Sequence, residues 1–405
     1  MDVYNTPNHF VPEYKTFLFN PVLTAREIAF YPEFNTPEGS DWPPRLKEAF
    51  PEADDFSYIY PPPTALLCSP LALFTFDNAA SRVWPTISIW FLFVLTFFAS
   101  RIYRLLKGGD SYGEGLVILA CLIFSLRGQT DIVSGNVNPI LGGCVACCCY
   151  SFLRSRMLAF SCAYIPLILF KAIGLAWLPL LVIDRAYRRA LIYLGAFTLI
   201  LNGIVLAAAG IEPYQKFFSI VRLISIPVGH GLVVTMIKKF GFYPYWLYEI
   251  LNLFCLELLY FALLKKGNKG WSMSVSRSPL ILSAFLAGTL SLFCLFNNVV
   301  WGPYGANFLF FPLLGWIMQE GNLATGIWRF AIRGGILFSF IILIGEGFWF
   351  SIFGAKRIPF FNYDILFPVD VFVIPAFFLL IAFRRLFIEN SNQVLLDANK
   401  EHPYP

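Results

Sequence analysis

From residue 83 onward the chain consists of long apolar runs separated by short clusters of Lys and Arg. A helix needs about 20 consecutive apolar residues to cross the hydrocarbon core of a bilayer. On that measure crossings are predicted near 83–103, 114–127, 132–153, 190–209, 244–264, 278–297, 306–320, 334–352 and 365–383. The apolar stretch 157–183 does not fit the series. Arg154 and Arg156 precede it, and Arg185, Arg188 and Arg189 follow it. Positive clusters mark the cytoplasmic side, so both of its ends face one compartment and the stretch must turn back within the membrane. With that segment as a hairpin, Arg101, Arg104, Lys107, Lys265, Lys266, Lys269, Arg329, Arg333, Arg384 and Arg385 all fall on the same side. Lys356 and Arg357 are the exceptions. The expected fold class is an all-α polytopic membrane protein with about nine crossings plus a re-entrant hairpin.

Polarity divides the chain into three parts. Residues 1–82 form an exoplasmic N-terminal segment, 83–385 a transmembrane domain and 386–405 a polar cytoplasmic tail. Within the first part, Tyr58 to Phe76 is apolar but is interrupted by Pro61, Pro62, Pro63 and Pro70, which argues for an interfacial or re-entrant element over a straight span. An exoplasmic N-terminus with no signal sequence suggests a further transmembrane helix upstream of Met1; the alternative is that span 83–103 translocates the short tail itself. The outer face then collects residues 1–82, the turn Gln129 to Pro139, the loop Ile211 to Tyr243, the turn Asn297 to Gly305, and Gly354 to Asp364.

Composition agrees with this picture. The 405 residues are 58% hydrophobic and 14% charged, far from a soluble average. The net charge of +5 is accounted for by the orienting clusters, and no basic arm with interleaved aromatics points to nucleic acid. The run Cys144-Val-Ala-Cys147-Cys148-Cys149 has a metal-like spacing but lies in an apolar span without a second ligand pair, so these cysteines are read as packing residues. No nucleotide-binding glycine loop occurs. An enzyme of this shape would therefore take its donor from the membrane and act at the exoplasmic face.

Lys171 is the one charge in the middle of the 157–183 hairpin. An intramembrane cation is costly, and a functional role is its default hypothesis. Holding an anion such as a lipid phosphate is the natural one. Two further patterns precede it: Phe56-Ser-Tyr-Ile-Tyr-Pro-Pro-Pro-Thr-Ala-Leu-Leu-Cys-Ser-Pro-Leu-Ala-Leu, and Ser134-Gly-Asn-Val-Asn-Pro-Ile-Leu at the start of the third predicted span. In this order the three patterns resemble the GT-C integral membrane glycosyltransferases, specifically the polyprenyl-phosphate-mannose-dependent alpha-mannosyltransferase-like family. The resemblance covers about residues 56–190. It departs from the family where Asn136 replaces a glutamine, and where the late turn Asn297 to Asn307 lacks histidine.

The resemblance implies transfer of a hexose, mannose in that family, from a polyprenyl-phosphate sugar to a glycan or glycolipid acceptor, with the bilayer as partner and no nucleic acid. A carboxylate would take the acceptor's proton. Asp2, in Met1-Asp2-Val3-Tyr4, and Asp41, in Gly39-Ser-Asp41-Trp42, are the candidates. Cationic and amide donors would stabilise the departing phosphate, and these roles fall to Lys171, Asn136, Asn138, Tyr60 and His230. No cofactor or metal is expected, because the leaving group is a lipid monophosphate rather than a nucleoside diphosphate. The plasma (inner) membrane is expected ahead of the endoplasmic reticulum. Plainer readings stand beside these: Asn136 and Asn138 as helix caps before Pro139, His230 as a turn residue between glycines, and Asp2 as a terminal charge. A transporter or flippase for a lipid-linked or anionic solute, or a non-catalytic truncated homologue, are the alternative functions.

Overall fold

The computed structural model describes residues 61–68, 82–107, 137–171, 173–178, 187–223, 279–296, 305–353 and 374–386, with isolated positions between them. Among the described residues every regular element is helical: α1 Pro62–Cys68, α2 Trp84–Lys107, α3 Asn138–Leu153, α4 Met157–Lys171, α5 Arg188–Ala209, α6 Glu212–Leu223, α7 Pro279–Phe296, α8 Gly305–Leu323, α9 Gly326–Phe353 and α10, residues 374–386. A 3-10 turn, Ile173–Trp177, follows α4. By length and composition, two of the helices suffice to cross a membrane, over Trp84–Leu106 and Arg188–Ala209. The predicted spans near 83–103, 190–209, 278–297, 306–320 and 334–352 coincide with α2, α5, α7, α8 and α9. The span at 244–264 and most of 114–127 lie outside the described residues.

Glycine sets the packing of the central helices. A Cβ at Gly142 of α3 would lie 2.9 Å from Leu95 Cδ1, and one at Gly143 would lie 2.9 Å from the Phe91 carbonyl oxygen. On another flank of α2, a Cβ at Gly315 of α8 would lie 2.8 Å from both the Ala99 carbonyl and the Tyr103 amide nitrogen. Lipid offers apolar side chains no hydrophobic penalty, so helices in a membrane associate through close van der Waals contact, and small residues permit it. Here they bring backbone against backbone. The side chains of α7 are mostly buried, and its hydroxyls are satisfied within the helix: Ser283, Thr289 and Ser291 donate to the Pro279, Phe285 and Ala287 carbonyls at 2.8, 2.7 and 2.6 Å.

Contacts along the helices fix their directions. Phe91 and Leu95 meet Gly143 and Gly142, and Phe98 meets Tyr150 at 5.4 Å between ring centroids, so α2 and α3 run parallel. The Cys148 thiol donates to the Phe160 carbonyl at 3.6 Å, so α4 returns antiparallel to α3. Ser155 makes that turn possible with φ of 55°, a left-handed conformation that few non-glycine residues adopt. The clusters Arg101 and Arg104, Arg154 and Arg156, and Arg188 and Arg189 therefore gather at one end of the bundle. Arg384 and Arg385 of α10 join them beside the end of α8. There Glu320 is fully buried, 3.7 Å from Arg384 Nη1 and 3.4 Å from Arg385 Nε, while Arg384 lies over the Trp328 ring at 5.3 Å.

Three outcomes follow. Replacing Gly315 by Val should destabilise the detergent-solubilised protein by about 1–3 kcal/mol through overpacking. Gly334→Ala, where nothing lies within 4 Å, should be neutral or stabilising by up to about 1 kcal/mol through the lost flexibility of glycine; thermal unfolding of the two variants compares them. Glu320→Gln removes the negative charge beside two largely buried arginine side chains. It should cost roughly 3 kcal/mol or more, read as a lowered melting temperature.

Candidate functional site

The chain turns back after Lys171, as the flanking arginines predict. Lys171 ends α4, and the 3-10 turn then descends along the helix just completed. Buried Tyr164 donates its hydroxyl to the Gly174 carbonyl, and a Cβ at Gly174 would lie only 2.8 Å from Ile168 Cγ1. Trp177 consequently comes to rest beside Tyr164 and Phe160, with centroids 6.4 and 6.5 Å away. Lower down, Tyr187 stacks on Phe152 at 4.0 Å and 9°, and the Ser161 hydroxyl donates to the Ala190 carbonyl at 3.2 Å. The segment thus leaves from and returns to the arginine end, with Lys171 at its apex. Its ladder of rings runs Tyr187, Phe152, Phe160, Tyr164, Trp177. Offset and tilted aromatic pairs of this kind are each worth about 0.5–1.5 kcal/mol beyond their buried area.

The apex is not isolated. Continued to the end of α4, the antiparallel register brings the Lys171 backbone level with Asn138 at the start of α3. Asn138 is 1% exposed. The helix cap is Val137, which makes no side-chain capping bond, so Asn138 already lies within the helix and does not serve as the cap. From the other direction, the proline segment arrives as α1. Prolines suit a first helical turn because its amides have no intrahelical acceptor. Thr64, 1% exposed, donates to the Leu169 carbonyl at 3.3 Å, two residues before Lys171. Pro166 inside α4 removes the amide that would otherwise pair one turn back, and the short helix ends soon after it. α1 also touches α5 and α6.

The first and third sequence patterns therefore meet directly, and the described end of the second, Asn138, shares their level at the bundle end opposite the arginines. Of the other candidates, Asp2, Asp41, Tyr60, Asn136 and His230 lie outside the described residues. Thr64 was not among the candidates. Its sequence signal was a hydroxyl next to three prolines in an apolar stretch, which has no partner until α4 is brought alongside. Exposed Arg82, just before α2, is a second cation on this end of the bundle by the parallel register of α2 and α3. No group of His, Cys, Asp and Glu among the described residues could hold a metal ion.

Comparison with known proteins bears on the same region. Residues 58–229 match the family model described as Glycosyltransferase family 87, a span running from the proline segment through α6. No curated protein and no solved structure matches the chain. The helical fold and this match support a membrane glycosyltransferase.

Tyr164→Phe removes the bond that closes the hairpin and leaves the buried Gly174 carbonyl without that donor. A loss of about 1–3 kcal/mol is expected, with protease cleavage within 171–187 appearing at lower temperature than in the parent protein.

Proposed function

We propose that this protein transfers a hexose, mannose by resemblance, from a polyprenyl-phosphate donor to a glycan or glycolipid acceptor at the exoplasmic face. The observation that carries the reading is the docking of α1 against the last turn of α4, within the region that matches a glycosyltransferase family. A lysine at the apex of a buried hairpin, on the end opposite the arginine clusters, suits a lipid phosphate arriving from the outer leaflet. Its charge would stabilise the phosphate as the glycosidic bond breaks, when negative charge develops on the leaving oxygen. Asn138 and Asn136 would add amide donors, Tyr60 a wall or a hydrogen bond, and His230 a contact to phosphate or acceptor. The acceptor hydroxyl attacks the anomeric carbon while Asp2 or Asp41 takes its proton. In this scheme the carboxylate approaches the face of the sugar opposite the departing phosphate, which inverts the anomeric centre.

Membranes containing the protein, supplied with radiolabelled polyprenyl-phosphate-mannose and candidate acceptors, should form a labelled product. Lys171→Ala should lower transfer by at least about tenfold, the scale of one lost charge-assisted contact to the leaving group, with expression unchanged. Activity kept in Lys171→Ala would reject the phosphate role. Activity kept in both Asp2→Ala and Asp41→Ala would reject those two as bases. Donor translocation without sugar transfer in reconstituted vesicles would replace the transferase reading with a flippase.

A further inference from the structure

The sequence predicts Ile211 to Tyr243 as an outer loop, yet its first part is a helix of different character from the spans. α6 is 12 residues long and mixes Glu212, Gln215, Lys216 and Arg222 with Tyr214, Phe217, Phe218 and Val221. The apolar positions recur at spacings of three and four, the repeat of a helix with one apolar side. It is too short and too polar to cross a bilayer. Helices of this kind lie in the interfacial plane with their apolar side at the headgroup–acyl boundary.

Its mounting agrees with that use. Gly210 ends α5 with φ of 72°, a left-handed conformation that suits glycine, and redirects the chain. Asn202, an amide in the middle of an apolar span, donates to the Thr198 carbonyl at 2.7 Å and accepts from the Tyr214 hydroxyl at 2.6 Å. Partial burial pushes the Tyr214 phenol above its usual pKa, so it keeps the proton it donates. Pro213 is buried and Phe217 half-buried, whereas Phe218 is 64% exposed and Ile211 60%. α5 also presents an open apolar surface, with Leu199 75% and Ile200 57% exposed. A span whose outward face is that apolar is in contact with acyl chains. α5 starts among the arginines and ends at the opposite end, so α6 lies at the Lys171 end and touches α1.

We propose that α6 is an interfacial helix seated in the outer leaflet, with Phe218 as its anchor among the lipids and the Tyr214–Asn202 bond setting its depth. Together with α1 it borders the lateral approach from the leaflet to the Lys171 apex, a part of the proposal that rests on the transferase reading above. The lipid contact itself does not depend on that reading. Phe218 is the side chain that reaches the acyl boundary, and exposed Glu212, about a third of a turn round the helix from it, faces the aqueous side.

The test uses the full-length protein in vesicles of phosphatidylcholine and phosphatidylglycerol, with the photoreactive residue p-benzoylphenylalanine in place of Phe218 or, separately, of Glu212. Illumination should yield phospholipid adducts from position 218, several-fold above position 212, read by mass spectrometry of the α6 peptide. Equal yields at the two positions, or cross-links from 218 only to another copy of the protein, would overturn the lipid contact. For the approach to the apex, Phe218→Glu should raise the donor KM several-fold with kcat unchanged, and an unchanged KM would overturn that part. Lipid adducts at 218 in a protein that transfers no sugar would leave the membrane contact standing and sink the transferase reading alone.

Discussion

The reversal of the chain after Lys171 is the constraint on which the rest of the arrangement depends. A helix of 15 residues is too short to cross on its own, and the reversal that follows it has to be held. Tyr164 does this by donating to the Gly174 carbonyl, and the rings of Trp177, Phe160, Phe152 and Tyr187 continue the closure down to the arginine end. A buried carbonyl without a donor costs on the order of 1–3 kcal/mol, so the hydroxyl and the turn it closes stabilise each other. Because the segment returns to its own starting side, α5 begins among the arginines and ends near α1. Without the reversal, α5 would run the other way, and α6 would lie among the basic clusters.

Around this hairpin the structure separates two chemistries by end. One end concentrates arginines with a buried carboxylate, Glu320, holding α10 to α8. The other brings together α1, Asn138, Lys171 and the amphipathic α6. The glycine contacts of α3 and α8 with α2 link these ends through a rigid centre, since backbones in direct contact cannot slide without collision. The result is a stiff frame with Lys171 at the end opposite the arginines. Such a frame suits chemistry on a lipid-borne anion, where positioning and charge stabilisation account for much of the rate.

Much of this was legible before any coordinates. The hairpin followed from arginines on both flanks of 157–183, and the helical spans from apolar runs of the right length. Other features were not legible. α6 reads as polar loop because its charged residues dilute the apolar signal that marks spans. Asn138 reads as a cap beside Pro139, whereas Val137 takes that place. Glu320, at the end of an apolar run, gave no sign that α10 would bring two arginines to it. In each case the missing information was which other segment stands alongside.

The sequence by itself determined that this is a helical, strongly apolar chain, that its basic clusters share one end, and that Lys171 sits in a segment turning back on itself. Transfer of apolar surface and the sidedness of positive charge act on each segment locally and add along the chain, so they can be read in order. Only the tertiary structure decided that the proline segment would meet the apex, through a hydrogen bond between residues 105 positions apart. It also decided that glycines would bring α3 and α8 onto the backbone of α2. Those choices depend on shape and on satisfying buried polar groups between distant segments, and neither quantity is a property of any one stretch of sequence.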